Sequence, residues 1–60
     1  MVSASEKIKA AVDIFRAELS GAKGKFKAYI SETNSNDVEF FTDGILYCII
    51  NVRSRMIRGI

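Results

Sequence analysis

Asp37-Val38-Glu39-Phe40-Phe41-Thr42-Asp43-Gly44-Ile45-Leu46-Tyr47-Cys48-Ile49-Ile50-Asn51-Val52 is the stretch on which the fold turns. Asp-Gly between two apolar, β-prone runs is the strongest short-range signal for a hairpin. Read that way, residues 37–42 are one strand and Ile45 to Val52 is the next, rich in Ile, Tyr and Val. A competing pattern runs through the same residues. Leu46, Ile49, Ile50, Arg53, Met56 and Ile57 keep a three–four spacing, Asp43 could cap a helix and Gly59 could end it. The β-branched run and the favourable turn weigh towards the strand. A strand through Val52 followed by a short helical turn in 53–58 lies between the two.

Before this stretch, residues 31–37 are all polar and turn-prone, which reads as a loop. Residues 25–31 alternate, with Phe26, Ala28 and Ile30 on one face and Lys25, Lys27 and Tyr29 on the other, as in a half-buried strand. Further back, Ser3-Ala4-Ser5-Glu6 is a capping box. Ile8, Ala11, Val12, Phe15, Leu19 and Ala22 then recur at helical spacing, and Gly21 and Gly24 stop the run. A helix over about residues 5–20 follows. The expected architecture is α+β: one N-terminal helix on a three-stranded antiparallel meander. Helix, β-hairpin, helix is the alternative.

A two-residue turn at 43–44 sets Thr42 opposite Ile45, Phe41 opposite Leu46, Phe40 opposite Tyr47 and Val38 opposite Ile49. Directly opposed residues share a face. One face then carries Val38, Phe40, Ile45, Tyr47 and Ile49, for the helix to cover with Ile8, Val12, Phe15 and Leu19. The other carries Phe41, Leu46, Cys48, Ile50 and Val52, and it is just as apolar. Such a face belongs against something else. Residues 53–60 could fold back over it. The favoured expectation is another protein, with Phe41, Leu46, Ile50 and Val52 as anchors and Tyr29, Arg53 and Arg55 around them.

Sixty residues make a single domain, 1–60, whose core is small and gains from disulfides, metal or a second chain. One cysteine cannot form an internal disulfide, and with no histidine a structural zinc site has no usual ligand set. A triad that uses histidine is excluded too. Cys48 lies among Leu46, Tyr47, Ile49 and Ile50, so it reads as a small buried hydrophobe. No phosphate loop, metal-ligand spacing or cofactor motif is present, and no enzymatic activity is expected. No run of about 18 apolar residues spans a bilayer, the terminal Arg53–Ile60 arm is a poor membrane anchor, and the first residues lack a signal-peptide pattern. A lone thiol fits a reducing, cytoplasmic setting, including a host's cytoplasm for a viral protein.

The charges are mixed: nine Lys+Arg against seven Asp+Glu, a net +2. Residues 31–44 hold Glu32, Asp37, Glu39 and Asp43 with no basic residue, and read as solvated charge that can orient a basic partner. Lys23, Lys25 and Lys27 form one basic cluster, and Arg53, Arg55 and Arg58 another. Both have apolar or aromatic neighbours, so nucleic-acid binding through these six is the second reading. A meander separates the clusters by on the order of 20 Å, which breaks any continuous track. The expected function is therefore a small non-enzymatic interaction module, a modulator or inhibitor of a larger protein. A homodimer through the same face is equally compatible.

Overall fold

A computed structural model of the chain describes residues 3–59. The expectations for Met1, Val2 and the last residue of the terminal arm, Ile60, lie outside the described residues. One helix, α1 (Ala4–Glu18), precedes four strands: β1 (Lys27–Ile30), β2 (Asp37–Thr42), β3 (Ile45–Asn51) and β4 (Ile57–Arg58). They form one antiparallel sheet in chain order, β1-β2-β3-β4, with α1 against one face.

The helix starts where its capping box lies. Ser3 is extended, and its side chain accepts from the Glu6 amide at 3.3 Å, which satisfies one of the donors a helix start leaves open. Ala11, Ile14 and Phe15 are buried beneath α1, flanked by Ile8, Val12 and Leu19. Ile14, three residues after Ala11, belongs to the stripe that the sequence reading built without it.

Asp43 and Gly44 both have positive φ, 53° and 76°, as the tight hairpin turn between β2 and β3 requires. Residues 45–51 are strand, so the helical alternative for them is excluded. The register nevertheless differs from the one drawn above. Thr42 pairs with Ile45 and Phe41 with Leu46, but Phe40 then pairs with Cys48 and Val38 with Ile50. Tyr47 is the extra residue of a β-bulge. An inserted residue inverts the alternation of everything beyond it. Cys48 and Ile50 are consequently fully buried under the helix with Val38 and Phe40, and Ile49 pairs with Glu39. Ile45, expected under the helix, is 69% exposed.

The bulge has a packing rationale. Tyr47 keeps contact with the aromatic group on the helix side, its ring 5.1 Å from Phe26 and 6.1 Å from Phe15. Phe15 also stacks on Phe40 at 4.6 Å and meets Phe26 at 4.9 Å. Tyr47 and the small Cys48 beyond it both serve the helix side, which strict alternation forbids.

The segment after β3 neither becomes a helix nor folds across the second face. Asn51 organises it. Its side-chain oxygen accepts from the amides of Arg53 and Ser54 at 3.0 and 2.9 Å, and its side-chain nitrogen donates to Asp37 at 2.9 Å. The chain reverses, and Ile57 pairs with Ile50 and Arg58 with Ile49, adding a fourth strand. Arg58 donates to the other oxygen of Asp37. Asp37, expected to be wet, is 5% exposed and held from two sides. Asn51→Ala removes one charge-assisted bond and two turn bonds, so stability should fall by about 2–3 kcal/mol. The urea midpoint checks this. An unchanged midpoint would mean the network contributes nothing.

Candidate functional site: the open face of the sheet

Alternation along the strands assigns the face opposite α1 residue by residue. Lys27, Phe41 and Leu46 form one row across the sheet, and Tyr29, Glu39, Ile49 and Arg58 form the next. No described element covers these rows. Tyr29 is 51% exposed and Leu46 43%, while Phe41 is half-buried. The Tyr29 and Phe41 rings meet edge to face with centroids 5.8 Å apart. They stand in a wide, shallow depression of about 950 Å³ bordered by Lys25, Lys27, Glu39 and Asp43. An amphipathic aromatic pair ringed by charges of both signs suits a macromolecular contact.

Of the residues expected to bind a partner, Tyr29, Phe41 and Leu46 come together on this face. Ile50 does not: the bulge turns it into the core, where it is fully buried. Val52 packs partly buried against the core, and Arg53 and Arg55 lie in the exposed turn beyond β3, at the far end from Lys25 and Lys27. Two residues of this face escaped the sequence reading. Ile49 was assigned to the helix side and Glu39 only to solvent. Glu39 stands beside Tyr29 through the regular β1–β2 register, whereas Ile49 reaches this face through the bulge and meets Arg58 through β4, neither of which has a compositional signature.

The basic residues remain in two separate groups. Lys25 and Lys27 border the depression beside the Asp43-Gly44 turn. Arg58 is engaged by Asp37, which leaves Arg53 and Arg55 as the other group's unbonded charges among the described residues. The acidic residues do not assemble into a metal site: no cluster of three or more His, Cys, Asp or Glu side chains is present among the described residues. No described helix is long and apolar enough to cross a membrane.

Cys48 sits in the core with no exposed surface, and burial pushes its thiol above the ordinary range. The folded state therefore holds the thiol proton more tightly than the unfolded chain does. This contribution leaves stability intact at neutral pH and subtracts from it as pH rises past the ordinary thiol range. A thiol-specific colorimetric reagent should react with the native protein on the order of 100-fold more slowly than with the urea-unfolded chain, since access requires opening of the core. Equal rates would place the thiol at the surface.

Compared with protein-family models, with curated proteins and with solved structures, the chain matches none.

Proposed function

We propose that this chain is a small non-enzymatic protein–protein interaction module that acts in the cytoplasm as a modulator or inhibitor of a larger protein. The carrying observation is the open face of the sheet, where Tyr29, Phe41 and Leu46 are offered without a covering element. The rim selects among partners. Lys25 and Lys27 stand on the β1 side and Glu39 and Asp43 beside them. The complementary surface is therefore a protein patch with an apolar centre bordered by both signs of charge.

Site-specific photo-crosslinking in the native cell tests this, with the photoreactive residue at position 41 or, as a control, at Lys9 on the exposed side of α1. The expected result is one dominant protein adduct from position 41, absent from position 9 and lost in Leu46→Asp. No adduct from position 41, or the same adducts from both positions, would overturn the reading.

Nucleic-acid binding is supported by the same aromatic pair, because Tyr29 and Phe41 beside Lys25 and Lys27 could stack bases. Glu39 and Asp43 in the same depression, and the distance to Arg53 and Arg55, count against it. Single-stranded DNA and RNA titrated at low salt should show no binding at micromolar protein. Binding that weakens steeply with added salt would transfer the function to this second reading.

A further inference from the structure

We propose that the free edge of β1 is where a second copy of this chain joins, the two β1 strands pairing antiparallel about Tyr29 to make one continuous sheet. The inference concerns the sheet's edge and does not depend on what the open face binds.

The backbone carries the argument. Ser31 donates to the Asp37 carbonyl at 2.9 Å, which fixes that pair as a hydrogen-bonded one. Antiparallel ladders alternate, so Tyr29–Glu39 and Lys27–Phe41 are also hydrogen-bonded pairs. Ala28 and Ile30 lie between them, and their N–H and C=O groups point away from β2 towards the open edge. None of these groups has a backbone partner among the described residues. An unpaired row of this kind is a template for another strand.

A second copy fits the template better than an arbitrary strand. With the two-fold axis at Tyr29, Ala28 of each chain lies opposite Ile30 of the other, and the free N–H and C=O groups of both residues are satisfied in both chains. Side-chain faces agree, because residues 28 and 30 are both on the helix side and 27, 29 and 31 on the open side. The pairing also answers to charge. Lys27 faces Ser31 of the second copy instead of its own equivalent, so like charges are not opposed across the axis. On the open face the two Tyr29 side chains become direct neighbours and extend each Tyr29–Phe41 pair into a row across the axis.

The other edge does not compete. β4 is only Ile57–Arg58, its arginine is bound to Asp37, Gly59 lies against Tyr47 and Cys48, and the stretch of β3 left without a β4 partner, 45–47, is interrupted by the bulge at Tyr47. Short edge strands are poor templates. With one regular open edge among the described residues, the assembly closes as a two-fold dimer and does not grow into a fibre.

Disulfide trapping reads both association and register. Tyr29→Cys brings equivalent positions face to face at a non-hydrogen-bonded site, where Cα atoms are about 4.5 Å apart and a disulfide can close. Under air oxidation Tyr29→Cys should convert to a covalent dimer. Lys27→Cys, whose counterpart lies four residues along the paired strand, about 13 Å away, should remain largely monomeric; the native thiol, Cys48, is buried in both. By sedimentation the unmodified chain should show twice the monomer mass. Ala28→Pro, which deletes one edge-facing N–H without touching the bonds to β2, should return it to the monomer while keeping its circular dichroism. A monomeric mass at about 0.1 mM, where even a weak interface would be populated, would overturn the proposal. So would equal trapping at positions 27 and 29, or a dimer unaffected by a folded Ala28→Pro. The photo-adducts from position 41 are scored separately, so either reading can fail alone.

Discussion

Phe15→Ala is expected to remove about half or more of the protein's folding stability. Phe15 is 8% exposed and is the ring through which α1 holds the sheet, in contact with Phe26, Phe40 and Tyr47. Truncating a buried phenylalanine costs about 3–5 kcal/mol. A domain of this size has roughly 3–9 kcal/mol of stability in all, at about 0.05–0.15 kcal/mol per residue. The loss is therefore comparable with the whole. Far-ultraviolet circular dichroism with urea titration measures it, and a cooperative transition displaced by less than about 1 kcal/mol would show that the ring is not a keystone of the core.

Aspartate placed four residues apart on β3 should have opposite consequences. Ile50→Asp buries a carboxylate with no partner beside Val38 and Cys48, and it should abolish cooperative folding. Leu46→Asp falls at a position 43% exposed on the open face, and its stability should stay within about 1 kcal/mol of the parent. The pair is a test of the bulge at Tyr47. A regular hairpin would set residues 46 and 50 on the same face and make the two variants behave alike. Denaturant midpoints of both, measured together, decide between the registers.

That contrast also locates where the sequence stops being readable. The Ser3 cap, the helical stripe through Phe15 and the Asp43-Gly44 turn each depend on neighbours in the chain and appear in the structure as expected, although Glu6 does not bond back to Ser3 and the strand expected over 25–31 is the shorter Lys27–Ile30. β3 could not be oriented in the same way. Leu46, Tyr47, Cys48, Ile49 and Ile50 are apolar without a break, so neither parity is favoured, and a one-residue bulge passes unmarked. Glu39 held the better clue, because a charge on β2 must face away from the helix and takes its β3 partner, Ile49, with it. The meander was expected with three strands and has four. β4 has no signature of its own, because its attachment depends on Asp37, 21 residues before Arg58, and on the turn that Asn51 organises. At the candidate surface, Tyr29, Phe41 and Leu46 were legible from short-range pairing. Ile50 was misplaced because it lies beyond the bulge.

Strand order in this sheet is identical to chain order, and that arrangement bears on how quickly the native state is reached. Every strand joins the one synthesised just before it through a turn of a few residues, with no crossover to close. Loop-closure entropy is small at each step, and the β2–β3 hairpin can start the process alone. Docking of α1 is then the one event that must bring together distant parts of the chain, and the rate-limiting barrier is expected there.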